Sequence, residues 1–166
     1  MITLEMSIER LRSLLDYDPE TGIFRWRIAY RGARAGQLAG AKMSNGYLRI
    51  SMDGKRFLCH RLAWAHFYGQ WPQAGIDHRD LMRHHNWIKN LREGSQSQNM
   101  ANARKHKGNS SGAKGVSWDS QRQKWFACIR FQRQTKYLGR FDDKEQAAEA
   151  YATAATALFG QFARLE

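Results

Sequence analysis

Around residue 53 the chain turns back on itself, and a few residues later its hydrophobic period changes. Residues 47–52 alternate, with Leu48, Ile50 and Met52 on one face. Asp53-Gly54 suits the left-handed backbone of a two-residue hairpin turn, and residues 56–59 return as the partner strand. Residues 60–68 then take helical spacing through Leu62, Trp64/Ala65 and Tyr68, and Gly69 and Pro72 stop the helix. A local hairpin running straight into a helix places the chain in the α+β class.

The flanks follow the same logic. Ile8, Leu11 and Leu14/Leu15 predict a short helix capped by Ser7. Residues 18–22 read as a turn and 23–27 as a strand, while 31–46, with four glycines, read as loop. Residues 75–78 are strand-like, 87–92 follow a polar loop, and a polar helix is expected over 95–105 with Ser95 as cap. Residues 107–112 read as a flexible linker. Strands are expected at 115–118, 124–131 and 135–141, then a helix over 143–159 that Asp142 can cap. The Ala147, Ala150, Ala154 and Leu158 stripe of that helix allows close approach to a sheet.

Charge narrows the partner. The 166 residues carry a formal net charge of +12. A chain this basic favours a polyanion. Residues 111–141 hold seven basic side chains and one acidic, and 142–166 hold two and five. That reversal suits a layer facing nucleic acid, backed by another. With 42% hydrophobic residues the chain has material for a core, so a disordered basic tail is excluded. No apolar run is long enough to span a membrane, and the first five residues lack a signal-peptide pattern. Cys59 and Cys128 stand far apart and form neither a four-cysteine zinc site nor a disulfide framework. The expectation from composition is a soluble intracellular protein that binds nucleic acid.

Chemistry concentrates in the middle. Asp77-His78 lies at a strand end, Asn90 precedes Leu91-Arg92, and Asn99 lies on the next helix. With His60-Arg61-Leu62-Ala63-Trp64 before them, these elements resemble, in order and spacing, the HNH homing endonucleases of phages and introns. The resemblance covers residues 60–102 and, more weakly, the preceding hairpin. Phosphodiester hydrolysis needs a deprotonated water in line with the leaving oxygen, and positive charge where negative charge builds. A histidine can take the proton near neutrality. Magnesium prefers oxygen ligands and keeps several waters, so one Asp, one amide oxygen and a DNA phosphate suffice. The resemblance therefore implies His78 as general base, Asp77 and Asn99 as metal ligands, and Asn90 as the residue that orients the imidazole. It implies Mg²⁺, with Mn²⁺ able to substitute, and no zinc. Asn102, one turn after Asn99, is an alternative ligand. Family members usually carry a Gly-Asn loop and an Asp-Asn pair before Asn-Leu-Arg; here the loop is Arg79–Asn86 and His85-Asn86 holds the place of the pair. His84, His85 and His106 suit solvent or phosphate, and His60 suits packing or a phosphate contact.

Residues 114–160 resemble an AP2-type DNA-binding domain. The matching elements are Lys114-Gly115-Val116, Trp125-Phe126-Ala127-Cys128-Ile129-Arg130, Tyr137-Leu138-Gly139-Arg140-Phe141 and Ala147-Ala148-Glu149-Ala150-Tyr151. The resemblance implies a three-stranded antiparallel sheet that enters the major groove, backed by one helix. Trp125, Ala127 and Ile129 share the face suited to the helix; Phe126, Cys128 and Arg130 share the other. Arg130 and Arg140 suit guanine edges or phosphates. Lys114, Trp118 and Tyr137 join them as candidate DNA contacts, as do Arg92 and, on the first hairpin, Arg49, Lys55 and Arg56.

The fold expected is thus a ββα-metal (HNH) nuclease core, preceded by a β-hairpin region and followed by an AP2-like domain. The expected divisions are 1–59, 60–106, a linker at 107–113, and 114–166. One base and one metal predict a monomer that nicks one strand of double-stranded DNA, and the resemblance implies a phage homing or host-competition role in the cytoplasm of the host cell. The competing reading is a non-cleaving DNA-binding regulator with a decayed nuclease site.

Overall fold

The computed structural model describes residues 5–106 and 108–165. The signal-peptide reading of the first four residues, and Lys107 of the expected linker, lie outside them. The chain forms two compact units, the first running through Glu93 and the second beginning at Gly94.

In the first unit, α1 (Ile8–Leu14) is capped by Ser7, whose side chain accepts from the Arg10 N–H. It leads directly into β1 (Leu15–Tyr17), which pairs antiparallel with β2 (Phe24–Trp26). Sequence spacing misses β1 because the Leu14-Leu15 pair reads equally well as the end of a helix. The segment 31–46, expected as loop, contributes β3 (Leu38–Ala39) to the β1–β2 sheet and β4 (Ala41–Lys42) to the next. Two-residue strands have too little alternation to be read as such; backbone pairing with Phe24-Arg25 and Leu48-Arg49 makes them. β5 (Leu48–Met52) and β6 (Lys55–Leu58) form the expected hairpin. Its turn residues Asp53 and Gly54 have φ of 47° and 76°, the left-handed values a type I′ turn requires. α2 (Cys59–Tyr68) follows and ends on Gly69 in left-handed conformation. The core gathers Leu11, Leu14 and Leu15 of the N-terminal elements, Ile50 and Met52 of β5, and Leu62, Ala63 and Ala65 of α2. Ile76 and Leu91 join it from β7 (Gly75–His78) and β8 (Leu91–Gly94), which pair as a two-stranded sheet.

The loop joining β7 to β8 is braced by the N-terminal hairpin. The Ile88 N–H donates to the Pro19 carbonyl at 2.9 Å, and the Tyr17 hydroxyl to the Asn86 carbonyl at 2.7 Å. Gly22, at φ 74°, lies so close that a Cβ would sit 2.3 Å from the Trp87 nitrogen. Only a glycine fits there, in conformation and in space.

In the second unit, α3 (Gln96–Asn102) begins with a capping box made by Ser95 and Gln98. It stops short of the expected residue 105: the Lys114 ammonium donates to the carbonyls of Ala101 and Ala103 and closes its end. The Gly-Ser-rich segment expected as a flexible linker is a bonded turn. Its Asn109 side chain accepts from the Ser111 hydroxyl and the Gly112 N–H and donates to the Ala113 carbonyl. β9 (Val116–Asp119), β10 (Lys124–Phe131) and β11 (Gln134–Phe141) make an antiparallel sheet with β10 in the middle. α4 (Lys144–Phe159) backs it, capped by Asp143 rather than by the expected Asp142. Val116, Ala127 and Ala147 pack together at one end; Ile129, Tyr151, Ala155 and Phe159 pack toward the other. The mixed α+β class expected from the sequence is observed. No helix among the described residues is long and apolar enough to cross a membrane.

Candidate active site

Ile76, Asp77 and His78 of β7 are all buried, so the strand is covered on both faces at its end. Each of the two polar groups has a partner. Arg92, on the paired strand β8, places its Nε 2.8 Å and a terminal nitrogen 2.7 Å from Asp77 Oδ2, with both side chains less than a tenth exposed. Expected as a DNA contact, Arg92 is instead part of a buried ion pair that neutralises the Asp77 carboxylate.

His78 Nε2 lies 3.3 Å from Asn86 Oδ1. The other end of that amide is committed, since Asn86 Nδ2 donates to the His84 carbonyl at 3.2 Å. Oδ1 therefore faces the ring, Nε2 carries the proton that it donates, and Nδ1 holds the basic lone pair. Burial lowers the His78 pKa below the usual histidine value, and the Asn86 bond only partly opposes this. The group is thus neutral and able to accept a proton at neutral pH.

The amide at the imidazole is that of Asn86, while Asn90 works one step back. Its Nδ2 donates to Asp80 Oδ1 at 3.0 Å and to the His85 carbonyl at 2.9 Å, and its Oδ1 accepts from the Asp80 N–H at 3.1 Å. Asn90 thereby ties both ends of the β7–β8 loop and holds Asn86 where it meets His78. The sequence signal for Asn86 was present in the His85-Asn86 pair, but spacing alone did not reveal which amide meets the ring.

Asp80 also accepts from His85, whose Nδ1 lies 2.6 Å from Oδ2, and from the Met82 N–H at 2.8 Å. Burial acts to raise the Asp80 pKa, but hydrogen bonds from His85, Met82 and Asn90 outweigh it and hold the carboxyl below its usual range.

His60 packs beside this group. Its ring lies edge-on to His78 with centroids 5.2 Å apart, and Tyr47 covers both rings. His60 Nδ1 is buried without a hydrogen-bond partner. Burial, followed by repulsion from His78 and Arg61, lowers its pKa to about 3 from the ordinary 6.5. The unfolded chain takes this proton below about pH 6.5 and the folded one only near pH 3. Stability is therefore complete above 6.5 and falls as the pH drops through that window. By pH 4 the loss is expected to reach about 3 kcal/mol. Denaturant melts at pH 7 and 4 measure it, and His60→Gln should shrink the difference; an undiminished difference would refute the assignment.

In the second unit, Asn99 Oδ1 is buried with no hydrogen-bond partner. A Cβ on Gly94 would sit 2.6 Å from it. This is a desolvated amide oxygen awaiting a donor or a cation. Asn102 is buried as well. HNH nucleases generally use a divalent metal, and the unpartnered amide oxygen of Asn99 is a donor of the kind a hard ion takes. Among the described residues no three His, Cys, Asp or Glu side chains converge as a metal cluster.

The sheet register sorts the remaining candidates. Arg140 lies opposite Phe126, Tyr137 opposite Cys128, and Arg130 opposite Thr135. The irregularity between Ala127 and Cys128 keeps all three on the face away from α4. Arg140 stacks over Tyr137 at 5.3 Å and also meets Asp119 at 3.3 Å. Trp118 is placed differently: it lies opposite Trp125, on the face of Val116 and Ala127, and is 44% exposed at the rim. Lys114, with its ammonium on the α3 carbonyls, is turned inward. Lys55 and Arg56 are exposed on the first hairpin, and Arg49 is half-buried in a pocket with Trp26, Tyr30 and Arg31.

Residues 57–101 match a family described as HNH endonuclease. The matched segment runs from β6 through α2 and the Asp77-His78 strand end to α3, and it supports a nuclease, a hydrolase acting on DNA. No curated protein and no solved structure matches the chain.

Proposed function

We propose that the protein is a metal-dependent DNA endonuclease that nicks duplex DNA, aimed by the AP2-like sheet of the second unit. The observation that carries this reading is His78: a buried, neutral imidazole held in one tautomer at a strand end inside the matched segment. His78 Nδ1 takes the proton of a water molecule, whose oxygen attacks phosphorus in line with the 3′-oxygen. Asn86 holds the ring through Nε2, and Asn90 fixes the loop that presents Asn86. Asp77 and Asn99 are the proposed oxygen ligands. A divalent ion, Mg²⁺ most simply, supplies positive charge at the phosphate and the departing oxygen when bound. The P–O3′ bond breaks, and the products are a 5′-phosphate and a 3′-hydroxyl.

Arg130, Tyr137 and Arg140 offer the second unit's contact face, where cationic and aromatic groups alternate. Lys55 and Arg56 add phosphate contacts from the first unit. A single general base accounts for one strand per engagement, so the protein acts as a monomer. The proposed setting is a phage protein in the host cytoplasm, with a homing or host-competition role.

A supercoiled plasmid carrying candidate target sequences tests the reading. Incubation with Mg²⁺ or Mn²⁺ is expected to give open circles, and EDTA to abolish them. Linear product would retain the nuclease and overturn the nicking. Binding without metal-dependent cutting would leave a DNA-binding regulator.

A further inference from the structure

The β7–β8 loop holds a second imidazole that the mechanism above does not use. His85 Nδ1 lies 2.6 Å from Asp80 Oδ2. A carboxylate accepts only, so Nδ1 carries a proton and Nε2 is the atom directed away from the pair. The carboxylate is itself immobilised, because Asp80 Oδ1 accepts from Asn90 Nδ2 and from the Met82 N–H. The His85 carbonyl accepts from the same Asn90 amide, at 2.9 Å. The ring is wedged against Trp87 at 4.5 Å and His84 at 4.4 Å. Its side chain nevertheless remains 33% exposed. An imidazole fixed at one nitrogen by a buttressed carboxylate, with its other edge accessible, is built for proton transfer.

Its position in the loop gives that proton a destination. His85 immediately precedes Asn86, the residue that holds His78, so a single peptide link joins the two imidazoles' supports. One Asn90 side chain therefore sets the placement of both rings. The titratable groups facing His85 are Asp80, His84 and His78.

We propose that His85, doubly protonated with Nδ1–H on Asp80, is the general acid of the cleavage, giving its Nε2 proton to the departing 3′-oxygen. This rests on the nuclease reading above and assigns the second proton of the same reaction. As the water oxygen bonds to phosphorus, its proton passes to His78 Nδ1. As the P–O3′ bond breaks, its electron pair stays on the 3′-oxygen, which takes the His85 proton and leaves as the hydroxyl. Both imidazoles then return to their starting states by exchange with solvent, and no further reactant is required.

The test uses the full-length protein and two duplexes that differ in one atom. Once the wild-type cut is mapped, one duplex keeps the natural oxygen at that bond and the other has sulfur as the bridging 3′ atom. A thiolate departs without a proton, because thiols are far more acidic than alcohols. His85→Gln is expected to cut the oxygen substrate about 100-fold more slowly than wild type. On the sulfur substrate it should match wild type under the same divalent ion. Matching rates on the sulfur substrate also show that the variant is folded. Undiminished cutting of the oxygen substrate by His85→Gln would overturn the proposal. Equal slowing on both substrates would overturn it too, and would make His85 a strut of the loop. His85→Asn, checked for DNA binding and thermal melting, repeats the comparison if glutamine unsettles the loop. Failure of wild type on both duplexes, with DNA still bound, would instead overturn the nuclease reading and the acid with it.

Discussion

His78→Ala is expected to lower the cleavage rate about 10²–10⁴-fold while leaving DNA affinity nearly unchanged. The size follows from what is lost: a positioned base that is already neutral and desolvated at working pH. Binding persists because the proposed DNA contacts are exposed side chains elsewhere, with Arg130 and Tyr137 on the sheet and Lys55 and Arg56 on the hairpin. Single-turnover cutting and a gel-shift titration on the same duplex separate the two quantities. A variant that cuts within tenfold of wild type would remove His78 from the base role. An equal fall in affinity would make it a binding residue instead.

The largest expected effect on stability comes from Arg92→Ala. The guanidinium and the Asp77 carboxylate are buried together, with side chains 7% and 9% exposed. Removing the arginine leaves a carboxylate desolvated beside an emptied space. Breaking such a pair from one side costs about 3–5 kcal/mol. Chemical denaturation at neutral pH measures it, and a loss below about 1 kcal/mol would show that solvent reaches Asp77 when the arginine is gone. Arg92→Ala combined with Asp77→Asn should recover much of the stability, since the neutral amide no longer needs the cation. Failure of the double variant to recover would place the cost in lost packing.

The elements that carry the candidate residues were legible as a string. Asp77-His78 was read at a strand end, Asn90 ahead of Leu91-Arg92 and Asn99 on the next helix, and those elements are observed. Period-two alternation gave β5 and β10 almost to the residue, because one face of each is buried. The hidden parts share one physical character: they depend on partners distant in sequence. Tyr17 and Gly22 lie far from the loop they brace, and no local pattern marks a hydroxyl that will donate to Asn86 or a glycine that must clear Trp87. Arg92 and Lys114 looked like cations for DNA because charge is visible in sequence, whereas burial and the capture of a charge are not. Trp118 shares a face with the core because of pairing register.

The amino-acid sequence by itself determined the α+β class, the hairpin that opens into α2, the basic character of the chain and the Asp-His strand end. Each follows from local spacing, turn chemistry or composition, which need no neighbour to be expressed. Tertiary structure alone decided which amide meets the imidazole, which cations are neutralised, and which face of the last sheet Trp118 joins. Hydrogen-bond partners, desolvation and register arise only when segments far apart in the chain are brought within a few ångströms of each other.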